Sequence, residues 1–378
     1  MLPQRNPWLS TALAGSVLCL SLCTSPLFSD GDDDSPDATP AEKKATSSSV
    51  PKKSEPKTPS EGKIEDALQL RKLGKYDQAF GKLKEASTLN PSPKIQAELL
   101  FRTAETYFVK GQNATKGKLP GVEPDPCYQE AIKVFDELIT KFPKEEITPE
   151  GLYLKGSSYL VLGDLTNALS AYASAYRDFP GSSYRSKALE RVGVCHAGLD
   201  NAAAAIKAHQ QTLKEFPGRS EAATSKTEKY IRELELVGKP APPLKIANWI
   251  DGVATRGLDT FSGEVVVLIF FATWCQSCKS ELPHLRALMN TWSSKGVTFL
   301  GICDPDDPKN TESVEVYVKN NNLPFVDVGL DPGSRHLPRY RVSGFPAGVV
   351  MDRGGRIRWR GHMAFFPKPL IEKALAEK

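Results

Sequence analysis

The 378-residue chain carries 49 Lys and Arg against 45 Asp and Glu, a net charge of +4, with 40% hydrophobic and 25% charged residues. This globular balance suits two or three domains and excludes global disorder and a multi-span membrane protein. So small a net charge offers no concentrated basic surface for neutralising phosphates, so no nucleic-acid partner is expected, and seven cysteines are too dilute for a disulfide-stapled scaffold.

Residues 1–29 read as an export signal: Arg5 in a basic n-region, an apolar stretch from Leu9 to Leu22 broken by small residues, and polarity returning at Asp30. Cleavage is expected after Ser29. Leu20-Ser21-Leu22-Cys23 also resembles a bacterial lipoprotein box, although Leu22 stands where a small residue is usual. A third reading is an uncleaved anchor, since Trp8 to Phe28 is just long enough to span a bilayer. All three place the rest of the chain outside the cytoplasm, in a periplasmic or other extracytoplasmic space, free or membrane-tethered. Residues 30–63 change to Asp, Ser, Thr, Pro and Lys. Such a composition cannot bury enough surface to offset its ordering entropy and predicts a disordered tether.

An internal repeat follows over residues 64–237. Phe142-Pro143, Phe179-Pro180 and Phe216-Pro217 recur at intervals of 37 residues, and the same shift superposes Ala131, Ala168 and Ala205, then Phe135, Tyr172 and His209, and Gly156 with Gly193. An earlier copy runs from Gly74 to Pro91. Each unit predicts two helices, for example Leu152 to Leu162 and Leu165 to Phe179, separated by a Gly163-Asp164 turn and ended by proline. Residues 111–126 read as an inserted loop, in which Cys127 is placed, and Cys195 reads as core packing. The pattern resembles the tetratricopeptide family, which implies an all-α array whose concave surface takes a protein or peptide partner; the alternative is a spacer.

From residue 238 to 378 strands alternate with helices. Glu264 to Phe271 is a continuous apolar run, as for a central strand buried on both faces. Ala272-Thr273-Trp274-Cys275-Gln276-Ser277-Cys278 leads from it into a helix over Lys279 to Trp292. Further elements are strands at Val297–Cys303 and Phe325–Leu330 with a helix near Glu312–Asn320 between them. Strands at Gly348–Met351 and Arg356–Arg360 and a last helix from Pro369 complete the pattern. Two cysteines three apart at a helix start can close a small disulfide ring. Unpaired N–H groups and the helix dipole there stabilise a thiolate on the first. Cys275 is the expected nucleophile and Cys278 the resolving thiol. Glu281 lies on the face of Cys278 and could handle its proton, or be an ordinary surface carboxylate.

The site resembles that of the thioredoxin superfamily. The apolar strand before it and Lys279-Ser280-Glu281-Leu282-Pro283 after it are similar to the extracytoplasmic TlpA/ResA-like branch. The resemblance implies an α/β thioredoxin-like fold and thiol-disulfide oxidoreductase activity. It makes Pro283 the proline that kinks the active-site helix and Pro346, after Phe345, the cis-proline of a loop that meets substrate beside Trp274. It also implies that Glu281 replaces the buried Asp of plain thioredoxin, whose place is held by Ile269. It favours reduction of protein disulfides such as those of apocytochromes in cytochrome c biogenesis, with electrons from a membrane thiol donor. The Gln276-Ser277 dipeptide leaves an oxidase or isomerase direction open.

No cofactor or metal is expected, because Cys275 and Cys278 have no second paired motif and His284, His336 and His362 stand alone in sequence. Arg335, Arg339, Arg341, Arg353, Arg356, Arg358 and Arg360 suggest a solvated face or an acidic partner. Pro338 interrupts the short helix that the family places before its cis-proline loop. A peroxiredoxin-like peroxidase would need a Pro and Thr frame that Cys275 lacks. A scaffold that had lost its chemistry would be expected to have lost the cysteines, Trp274 or Pro346.

Overall fold

The structure, a computed structural model, describes residues 58–115, 117–246, 248–250, 257–305, 313–363 and 366–377. The expected signal and nearly all of the expected tether lie outside them.

Among the described residues, nine helices build the first region: α1 (Pro59–Lys72), α2 (Tyr76–Ser87), α3 (Pro93–Thr115), α4 (Pro124–Lys141), α5 (Thr148–Leu162), α6 (Leu165–Asp178), α7 (Arg185–Gly198), α8 (Ala202–Glu215) and α9 (Glu221–Leu234). The 37-residue period has a packing cause. Ala79, Ala131, Ala168 and Ala205 are fully buried, one in the second helix of each unit. Gly156 leaves room for the ring of Tyr172, which would stand 2.9 Å from an added Cβ, and Gly193 does the same for His209 at 2.6 Å. Filling such a space overpacks the core at a cost of about 1–3 kcal/mol. The α5–α6 turn follows its sequence: Gly163 takes φ 81° as the left-handed C-cap and the Asp164 side chain accepts from the Asn167 N–H.

Two boundaries differ from expectation. Helix α1 begins at Pro59 rather than near residue 64, because Thr58 and Glu61 form a reciprocal capping box and Pro59 occupies the first turn. The inserted loop is shorter than residues 111–126: α3 continues to Thr115 and α4 starts at Pro124. Gly111 belongs to a helix–helix contact, since a Cβ there would meet the ring of Tyr128 at 3.1 Å. Cys127 consequently lies buried in the first turn of α4.

The second region contains β1 (Asn248–Trp249), β2 (Val265–Phe271), α10 (Gln276–Ser293), β3 (Val297–Cys303), α11 (Val314–Asn320), β4 (Asp327–Leu330), β5 (Ala347–Met351), β6 (Ile357–His362) and α12 (Lys368–Ala376). They form a six-stranded sheet in the order β1-β4-β3-β2-β5-β6. Strands β2, β3 and β4 run parallel, while β5 is antiparallel to β2, β6 to β5 and β1 to β4. All seven residues of β2 are buried, as its unbroken apolar run requires. One sheet face packs Leu288, Met289 and Trp292 of α10 with Leu370 and Ile371 of α12; the other packs Leu236, Leu244 and Tyr340.

The junction is continuous with the sheet. Ile357 donates to the Lys239 carbonyl at 2.9 Å, Gly238 to the Ile357 carbonyl at 2.7 Å and Ala241 to the Gly355 carbonyl at 2.9 Å. The proline-rich segment after α9 is therefore laid along β6. The arginine-rich hairpin is a solvated face only in part: Arg353 and Arg356 are exposed, whereas Arg358 and Arg360 are not. Arg360 meets Glu233 of α9 at 3.2 Å with both side chains almost wholly buried, and Arg358 meets Asp200, after α7, at 2.6 Å. Arg341 bonds Glu235 and the Arg232 carbonyl. For Arg341, Arg358 and Arg360 an acidic partner lies in the repeat array and the residue that follows it.

Candidate active site

Strand β2 ends at Phe271, and four residues later Cys275 caps α10. Its sulfur accepts the Cys278 N–H at 3.1 Å, the bond a capping side chain makes to an otherwise unpaired donor. The Cys275 thiol is pulled down to about 7, first by the hydrogen bond from the Cys278 thiol and then by the N–H groups of Cys278 and Ser277, which together outweigh its partial burial. Cys278 is pushed the other way, first by that same hydrogen bond and then by burial and the nearby charges of Cys275 and Glu281. The two thiols of the pair are thus shifted in opposite directions, Cys275 down and Cys278 up.

Burial of the pair comes from the segment between β3 and β4. Tyr317 of α11, Leu323 and Val328 cluster with Phe271, Ala272 and both cysteines, and Phe325 stacks on Phe271 with centroids 5.5 Å apart. On the opposite side the Phe345–Pro346 peptide is cis. The Phe345 carbonyl lies 3.7 Å from the Cys275 sulfur, and the Phe345 ring meets Trp274 edge-on at 5.9 Å. Trp274 is 46% exposed, an uncommon state for so large an apolar side chain and the one expected of a contact surface.

Glu281 is not a surface carboxylate: it is 1% exposed. The imidazole Nε2 of His362, on β6, stands 3.4 Å from its Oε1. Sequence spacing gives no sign of His362, because the contact joins α10 to a strand across the sheet. Ile269 is buried in β2, with no carboxylate at that place. No α-helix lies between β4 and the cis-proline loop; residues 335–341 form turns around the buried Tyr340, whose hydroxyl donates to the Pro242 carbonyl at 2.5 Å.

The remaining candidates separate from this cluster. Cys195 and Cys303 are buried and each pushed up to about 12, chiefly by desolvation. All five described cysteines are free thiols. His336 does not stand alone: it pairs with Asp331 at 2.8 Å and accepts the Lys245 N–H at 3.2 Å, an arrangement that pins a loop. Among the described residues no three His, Cys, Asp or Glu side chains gather as a metal site, and no helix is long and apolar enough to cross a membrane.

The AhpC/TSA family model matches residues 237–360, and a tetratricopeptide repeat model matches residues 128–183 and 153–220. The chain is 29% identical over 127 residues to the thiol-disulfide oxidoreductase ResA of Bacillus cereus, which is 33% of this chain and 69% of that protein. It is 30% identical over 122 residues to ResA of Geobacillus kaustophilus, 32% of this chain and 67% of that protein. It is 27% identical over 143 residues to the thiol:disulfide interchange protein HelX of Rhodobacter capsulatus, covering 38% and 74% respectively.

The molecule is thus an oxidoreductase of the thioredoxin-like class, preceded by tetratricopeptide-like repeats. More narrowly, the chain belongs to the ResA-like family of thiol-disulfide oxidoreductases.

Proposed function

We propose that the protein is an extracytoplasmic reductase of protein disulfides, working through Cys275 and Cys278 and recruiting a protein partner on its repeats. The observation that carries this reading is the capped, activated sulfur of Cys275 beside a buried thiol and a buried carboxylate. The Cys275 thiolate attacks one sulfur of a substrate disulfide, forming a mixed disulfide and expelling the other substrate sulfur as a thiolate. Cys278 then gives its proton to Glu281, attacks the Cys275 sulfur and releases the second substrate thiolate. The enzyme leaves oxidised at Cys275–Cys278, and two electrons have passed to the substrate. A membrane thiol donor restores the dithiol by the same exchange in reverse.

Trp274, Phe345 and Pro346 form the contact surface for the substrate chain. His362 sets opposite Glu281 a group that can bear positive charge, which lowers the cost of burying a carboxylate there. The reducing direction rests on the resemblance around Glu281, and the location on the export-signal pattern of residues 1–29. Redox titration of the full chain tests the direction. A dithiol too oxidising to reduce a peptide disulfide in glutathione buffer would overturn it. Trapping in cell extracts with Cys278→Ser identifies the partner disulfide.

A further inference from the structure

Between the repeat array and the cis-proline loop lies a cleft of about 770 Å³. One wall is the array, with Lys187, Arg191, Arg219, Lys226 and Lys229; the other is Gly344 to Ala347 with His362. Seven Lys and Arg side chains line the cleft against two carboxylates, Glu190 and Glu233. Each carboxylate offsets one of these cations, Glu190 pairing with Arg219 and Glu233 with Arg360, and Glu228 beside the cleft stands 3.7 Å from Arg232, so the excess rests chiefly on Lys187, Arg191, Lys226 and Lys229. The field offered to an entering chain is therefore positive, although the whole protein is close to neutral. The cleft shares Phe345 with the dithiol, because that residue's carbonyl faces the Cys275 sulfur.

We propose that this cleft selects substrate: it takes an acidic, extended polypeptide segment flanking the disulfide that Cys275 attacks. The inference rests on the dithiol reading above and adds the substrate class. A polypeptide crossing the Phe345–Pro346 loop to reach Cys275 runs on into the cleft, where carboxylates meet the lysines of α7 and α9 and apolar groups meet Tyr230. A nucleic acid would match the charge but carries no disulfide. The repeats thus act on the same substrate as the cysteines, which explains why the two regions are held in one orientation by the Arg360–Glu233 and Arg358–Asp200 pairs.

The test uses the full chain and two disulfide-bonded peptides that differ only in three flanking residues, Glu in one and Lys in the other. The acidic peptide should be reduced with a kcat/KM about tenfold higher at low ionic strength, a preference that shrinks as salt screens the cleft. The combined Lys187→Glu, Lys226→Glu and Lys229→Glu variant should invert the preference. Equal kcat/KM for the two peptides, or a preference indifferent to both salt and the charge reversal, overturns the proposal. Peptide affinities measured by fluorescence anisotropy on the Cys275→Ser/Cys278→Ser protein separate it from the catalytic reading. An acidic preference in binding without turnover by the native chain would sink the chemistry and keep the cleft. Turnover with equal affinities would sink the cleft and keep the chemistry.

Discussion

Both regions of the molecule bury cysteines, and among the described residues only the second lowers the pKa of one of them. Cys195 lies within α7, surrounded by the side chains of the array, and burial pushes its thiol up to about 12. Cys275 is also largely buried, at 7% exposure, yet its thiol falls to about 7. The difference is first the hydrogen bond from the Cys278 thiol and then position on a helix. A mid-helix sulfur meets backbone donors already engaged, whereas an N-terminal one meets donors that have no other partner. Desolvation silences a thiol unless the fold aims hydrogen bonds at it.

The largest test of that contrast is paired substitution. Cys275→Ser should reduce turnover of a peptide disulfide to the uncatalysed background. Cys195→Ser should leave turnover intact and lower the urea midpoint, since a buried hydroxyl replaces a packed sulfur at a cost of about 1–3 kcal/mol. Undiminished turnover by Cys275→Ser would remove the dithiol from the mechanism.

A second test concerns how the regions are joined. Arg360 is held by Glu233 and by the carbonyls of Tyr340 at 3.2 Å and Arg341 at 3.0 Å, and burial lowers its pKa. Deleting one member of so buried a pair leaves the other uncompensated and costs about 3–5 kcal/mol. Arg360→Ala should therefore split unfolding of the full chain into separate transitions for array and redox domain. A single transition at the native midpoint would show that the pair does not couple them.

Much of this is legible in the residues alone, and the rest is hidden for identifiable reasons. Strand β3 and the helix after Cys275 follow from patterns a few residues long, where propensity and burial act locally, and the repeat from self-similarity of the sequence. The arginines of β6 and Glu281 depart from a solvated reading because alternation and helical spacing show which residues share a face, not what covers that face. His362, Glu233 and the cationic wall of the cleft come from elements far apart in the chain, which no spacing brings together. The capping box that starts α1 at Thr58 is, by contrast, written in the residues, but the Pro- and Lys-rich composition around it conceals it.

Glu281 sharpens the comparison within the site. If it takes the Cys278 proton, Glu281→Gln should leave formation of the mixed disulfide intact and slow its resolution about 100-fold, at the lower end of what a positioned acid–base group contributes. Stopped-flow detection of the two released thiols separates the steps, and Glu281→Asp should recover part of the loss. Equal slowing of both steps would make Glu281 a packing residue.

His209 shows the same desolvation used for packing alone. It occupies the repeat position of Phe135 and Tyr172, against Gly193 and with the Tyr230 ring 5.3 Å away. Burial, aided by the charge of Arg219, lowers its pKa from 6.5 to about 4. With the folded value below the unfolded one, the unfolded chain takes up the proton first. Stability is therefore full above about pH 6.5 and is lost as pH falls toward about 4. Between about pH 7 and pH 5 the array should lose about 2 kcal/mol through this one ring. His209→Phe keeps the ring and removes the proton, so the gap between the urea midpoints of variant and native chain should widen by that amount on acidification. A constant gap would mean that the imidazole meets water freely, and the equivalence of His209 with the aromatic positions of the other repeats would then be one of sequence alone.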